Sequence, residues 1–138
     1  MKDKLMTDST TPSSRPLSPH VQIYRWPITM AMSIAHRVSG GALYIGSLFL
    51  VAWIIGIACG PKAFEVVNGF YDSIIGRTIL FLYTLALVHH MVGGIRHLFW
   101  DTKPSLLEKH LATKTAWATV VISIVLTLLV WIVGYMVR

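Results

Sequence analysis

Two short stretches hold most of the side chains that could do chemistry. One reads His89-His90-Met91-Val92-Gly93-Gly94-Ile95-Arg96-His97. Neutral imidazole is the commonest metal-binding side chain. At 3.6 residues per turn, His90 and His97 share a helical face with Gly94, while His89 is turned by about 100° onto the face of Gly93 and Arg96. Adjacent helical residues cannot easily serve one small site, so His90 and His89 are rival ligands. The paired glycines allow either a close approach of another helix or room for a flat cofactor. His97, beside Arg96 and Asp101, reads as an interfacial histidine. The other stretch holds Ser33, His36, Arg37 and Gly40. Ser33, His36 and Arg37 fall on one face. A guanidinium fork beside a hydroxyl suits a carboxylate, a phosphate or a quinone carbonyl. The plainer alternative has Arg37 reaching for lipid headgroups and His36 sitting at the interface.

The elements that must position these groups follow from hydropathy. The chain has 138 residues, 54% of them apolar and 13% charged. Its mean hydropathy is +0.63. Charge this sparse argues against a soluble domain or a disordered chain, and Cys59, the only cysteine, excludes an internal disulfide. No Asp, Glu, Lys or Arg falls within 38–61, 78–95 or 115–137, runs of 24, 18 and 23 residues. About 20 helical residues cross a bilayer core, and continuous apolar runs fit helices rather than alternating barrel strands. The expected fold is all-α, with three transmembrane helices at about 27–58, 74–100 and 116–136 joined by an outer loop over 62–73 and a basic loop up to about 113. A helix from Pro27 to Ala58 would be ~48 Å long, beyond a ~30 Å core. Its first turns must therefore tilt, lie in the interface or meet a partner. The third helix carries no ionisable group within its span and reads as an anchoring and packing helix.

Net charge is +6, but the cations are distributed for a membrane rather than for nucleic acid. Lys2, Lys4, Arg15, Arg25 and Arg37 precede the first run, and Arg96, Lys103, Lys109 and Lys114 lie between the second and third. Only Lys62 and Arg77 lie between the first and second. The positive-inside rule puts the N-terminus in the cytoplasm, or a mitochondrial matrix, and the C-terminus on the opposite side. Residues 1–14 are polar and read as a flexible tail ahead of a single membrane domain over 15–138. Asp3 and Asp8, with no arginine before Arg15, are unlike a mitochondrial transit sequence. A bacterial inner membrane is the expected location.

Together the clusters are more specific than either alone. His90 lies roughly 9 Å below the inner rim, measured along the helix to Arg96. A hydroxyl, a histidine and an arginine stand at that rim on the first helix. That layout suits a haem, with one axial imidazole and cationic donors for the propionates. A second axial ligand must come from another chain.

In those residues the chain resembles the cytochrome b membrane-anchor subunits of succinate dehydrogenase, respiratory complex II. The resemblance runs from about Arg15 to the end. It rests on Arg-Pro-Leu-Ser-Pro-His at 15–20, Ser-Ile-Ala-His-Arg-Val-Ser-Gly at 33–40, and His-Met-Val-Gly-Gly-Ile-Arg-His at 90–97 followed by Asp101. It implies a haem b shared with a second three-helix anchor, His90 as its axial ligand, and His36 and Arg37 as propionate contacts. It also implies a ubiquinone site using Ser33 and Arg37. The implied partners are that second anchor subunit, an iron–sulfur subunit with its clusters and a flavoprotein subunit with FAD. A quinol:fumarate reductase or menaquinone-linked anchor, and a haem-free anchor or proton-relay subunit, are the competing expectations.

Overall fold

The computed structural model describes residues 25–137. The tail over 1–14 and the Arg15–His20 segment lie outside them. The described residues contain helices and no strands: α1 (Ile28–Ala58), α2 (Pro61–Asp72), α3 (Ile74–Thr102), a 3₁₀ turn at Pro104–Leu107, and α4 (Lys109–Met136). Three of these helices, α1, α3 and α4, are long and apolar enough to cross a membrane. The best apolar window of α3 has a mean hydropathy of 1.6, against 2.1 for α1 and 2.5 for α4. The helix that holds three of the six histidines is thus the least apolar of the three.

α1 starts on Pro27, whose carbonyl accepts from the Met30 and Ala31 amides. A ring with fixed φ and no N–H fits this position. The helix then runs unbroken through His36 and Arg37 to Ala58. Gly60 ends the connection at φ +97°, a left-handed region that favours glycine.

The segment expected as an outer loop is instead the helix α2. Gly60-Pro61 marks not the start of a loop but a helix with proline in its first turn. α2 docks on α1: the Tyr71 hydroxyl donates to the Phe49 carbonyl at 2.5 Å, and a Cβ on Gly56 would lie 3.0 Å from Val67 Cγ2. Ser73 alone separates α2 from α3, and its Oγ caps α3 by accepting from the Gly76 amide at 3.0 Å. α4 likewise begins at Lys109, earlier than hydropathy alone implies, because nothing after the 3₁₀ turn breaks a helix and its first turns can carry cations at the interface.

α3 is the central helix, packed against α1, α2 and α4. Its seam with α4 is built from small residues. Ala112, Ala116, Thr119, Ser123 and Thr127 are the buried positions of α4. The Thr119, Ser123 and Thr127 hydroxyls donate to carbonyls one turn earlier, at 2.9, 2.7 and 2.7 Å. Their polar atoms are thereby satisfied inside the helix, and the short side chains let the backbones come close. Large side chains such as Leu48, Ile54, Val125 and Ile132 point outward, as expected where the surroundings are lipid.

The two adjacent glycines of α3 divide the roles left open by the sequence. A Cβ on Gly93 would lie 2.5 Å from His36 Cδ2, whereas one on Gly94 meets nothing within 4 Å. Gly93 is therefore the seat of an α1 side chain, and Gly94 leaves its face open. Gly93→Ala should weaken the α1–α3 crossing by about 1–3 kcal/mol through overpacking, outweighing the up to ~1 kcal/mol it gains in helix propensity. Thermal melting of the purified assembly checks this, with Gly41→Ala, where a Cβ meets nothing within 4 Å, as the control.

Candidate functional site

The site lies where the N-terminal part of α1 crosses the C-terminal half of α3. His36 and His90 stack there, with ring centroids 4.1 Å apart and planes 12° from parallel. Each imidazole bonds the other residue's backbone. His90 Nδ1 lies 3.1 Å from the His36 carbonyl oxygen, and His36 Nε2 lies 3.2 Å from the His90 carbonyl oxygen. Carbonyls only accept, so His90 carries its proton on Nδ1 and His36 carries one on Nε2. Two glycines make the stack possible. A Cβ on Gly40 would lie 3.0 Å from His90 Cε1, just as one on Gly93 would meet His36.

The hydroxyl of Ser39, a buried residue, completes the cross-brace. It donates to the His36 carbonyl at 2.8 Å, and its oxygen lies 3.3 Å from His90 Nδ1. With its own proton committed, that oxygen can only accept there. Ser39 was not among the residues singled out from sequence, although its spacing held a signal: a helical serine reaches back to the carbonyl three or four residues earlier.

These bonds leave His90 Nε2 with a lone pair and without a hydrogen bond among the described residues. His89 differs, because its Nε2 is buried and without a hydrogen-bond partner among the described residues. Of the two rivals, only His90 has its proton placed by acceptors, both on α1. Among the described residues no three His, Cys, Asp or Glu side chains converge as a metal cage. An iron held by His90 would have to bring its own equatorial ligands, which a porphyrin does.

The remaining residues fall into place around the pair. His97, an exposed residue, meets His36 edge-on at 5.3 Å and Trp100 at 4.9 Å, so it adjoins the cluster. On α1, Ser33 is half-buried and Arg37 is exposed at the level of the stack. Arg96 is directed away from it. Its Nε donates to Thr115 Oγ1 and its Nη2 to the Ala112 carbonyl, both at 3.0 Å, and its guanidinium lies 4.2 Å from the Trp100 ring centre. The sequence places Arg96 near the rim but gives no sign of this brace to α4, because helical spacing says nothing of which neighbour a face meets.

A larger cavity, about 600 Å³, lies nearer the other end of the bundle, between Trp53, Tyr71, Tyr83, Trp131 and Tyr135, with Arg77 and Asp72 in its wall. Those two charges stand 3.6 Å apart and offset each other. No histidine lines it, so size does not make it the centre of redox chemistry. The histidine pair is the site the chemistry points to.

The sequence model of the succinate dehydrogenase/fumarate reductase transmembrane subunit family matches residues 11–130. The succinate dehydrogenase cytochrome b556 subunit of Paracoccus denitrificans is 37% identical over 122 residues, spanning 88% of this chain and 93% of that protein. The mitochondrial cytochrome b560 subunit of the mouse enzyme is 40% identical, over 86% of this chain and 69% of its own length. The cytochrome b556 subunit of Rickettsia felis is 35% identical, over 87% and 93%.

Proposed function

This chain belongs to the succinate dehydrogenase/fumarate reductase transmembrane subunit family, and from that premise we propose that it shares a haem b with a second anchor subunit and helps to form a ubiquinone-reduction site in succinate:ubiquinone oxidoreductase. It is the membrane-anchor cytochrome b subunit of that complex. In this reading it anchors the flavoprotein, which holds FAD, and the iron–sulfur subunit. The membrane is a bacterial cytoplasmic membrane. The cation-rich ends carry Arg37, Lys103, Lys109 and Lys114 and face the cytoplasm.

The observation that carries the haem assignment is the His90 ring itself. Both acceptors at Nδ1 require the proton there, so Nε2 is the nitrogen free for iron. Gly94, one turn on, leaves space beside it. Arg37 supplies donors for the propionates; His36 gives its Nε2 proton to the His90 carbonyl, so its neutral ring has no proton left to offer a carboxylate. When bound, the haem supplies a one-electron carrier next to the quinone. Ser33 and Arg37 give that quinone fixed donors.

A single reachable axial histidine makes the haem a shared group. The isolated chain, expressed without its partner and offered haem, should show little six-coordinate b-type absorbance in its reduced-minus-oxidised spectrum. The purified complex, with its subunits identified, should show it in full. A full-intensity low-spin spectrum from the isolated monomer is the result that rules out a shared ligand.

A further inference from the structure

We propose that Ser39 is a positioning residue for the haem: together with the His36 carbonyl, its hydroxyl holds the Nδ1 proton of His90 and so fixes both the tautomer and the ring orientation that present Nε2 to the iron. This rests on His90 being the axial ligand.

Three distances make the arrangement directional. The Ser39 proton is committed to the His36 carbonyl at 2.8 Å, which turns a lone pair of Oγ towards His90 Nδ1 at 3.3 Å. The same carbonyl accepts from Nδ1–H at 3.1 Å. The imidazole proton is thus shared between two acceptors on one turn of α1, and neither can donate back to Nδ1. The ring has little freedom to leave them. Gly40 bounds the side of Cε1, where even a methyl group would be 3.0 Å away, and the His36 ring covers one face at 4.1 Å. Ser39 itself is only 7% exposed, so water does not readily replace its hydroxyl.

The electronic consequence has a definite sign. A histidine whose distal N–H is drawn towards acceptors is a more basic ligand, and a more basic ligand favours ferric over ferrous iron. Deleting one of the two acceptors makes His90 less electron-rich, so the haem becomes easier to reduce. Loss of the Ser39 proton from the His36 carbonyl works in the opposite direction, but it acts one bond further away.

The test uses the assembled complex carrying Ser39→Ala, with haem content measured first. The expected result is normal haem content, an upward shift of the haem midpoint potential, and an altered low-spin ferric EPR signal, which reports ring orientation. Ser39→Thr keeps the hydroxyl and should restore the parental potential. Ser39→Cys, nearly isosteric with a weaker acceptor, should also shift the potential upward and serves if alanine impairs assembly. An unchanged or lowered potential in the haem-replete alanine variant, or a threonine variant that behaves like alanine, overturns the role of the hydroxyl. His90→Ala separates this from the premise: if the haem spectrum survives that change, the axial assignment fails and the inference with it. If His90→Ala removes the spectrum while Ser39→Ala leaves potential and EPR signal alone, only the inference fails.

Discussion

His90→Ala in the assembled complex is expected to abolish the low-spin b-type spectrum, while His89→Ala leaves it nearly unchanged. The two residues are neighbours on α3 and are chemically identical, so composition cannot separate them. Their surroundings can. Both acceptors of His90 bind its Nδ1 proton, which leaves an open Nε2 lone pair. The Nε2 of His89 is buried in the chain's own packing and has no hydrogen-bond partner among the described residues. With His90 as the proposed ligand, alanine at position 90 would remove that bond and also the partner of Ser39 and His36, so haem would be either lost or left high-spin. The change should be close to total, not graded. Succinate oxidation by an acceptor that takes electrons upstream of the membrane should continue wherever the complex still assembles. The opposite pattern, with haem lost on His89→Ala and kept on His90→Ala, would assign the ligand to His89.

Much of this was legible without coordinates because lipid imposes simple rules. Three runs of 18 to 24 residues free of charge are long enough to span as helices, and three such helices are found. What stayed hidden depends on which helix faces which. α2 was hidden because its Gly-Pro start doubles as a loop signal, and its amphipathic face becomes meaningful only against α1. The inward turn of His36 was hidden because its position on α1 suits a lipid interface equally well; the vacancy at Gly93 draws it in. Arg96 lies in the same motif as His90 and His97, yet its partners are Thr115 and the Ala112 carbonyl on α4, a helix with no charged group in its apolar span to announce a polar contact. The split between Gly93 and Gly94 has the same origin: the two residues are identical in sequence and differ only in what stands opposite.

The quinone assignment makes a prediction that separates two half-reactions. Ser33→Ala should depress electron transfer from succinate to ubiquinone while sparing succinate oxidation by an upstream artificial acceptor. As a quinone is reduced, its carbonyl oxygens gain electron density, so donors fixed beforehand stabilise the reduced forms more than the oxidised one. Ser33, half-buried on α1 one turn before the His36–Arg37 pair, can give a hydroxyl hydrogen bond to such an oxygen. Arg37, exposed beside it, contributes a permanent charge and planar donors but no transferable proton. In the proposed site it would hold the reduced quinone, and the protons would come through water or a partner chain. Loss of one donor at a dry site costs roughly 10²–10³ in rate. Arg37 is exposed, so water would compete at the proposed site and about tenfold to a hundredfold is expected here. Arg37→Ala should show the same split between half-reactions, but it also removes a proposed propionate contact and can disturb the haem spectrum. Arg37→Lys keeps the charge and loses the fork, so it should recover only part of the rate. Ser33→Ala is the cleaner probe because the hydroxyl has no proposed role towards the haem. A fully assembled Ser33→Ala complex with parental quinone turnover and quinone affinity would remove Ser33 from the site.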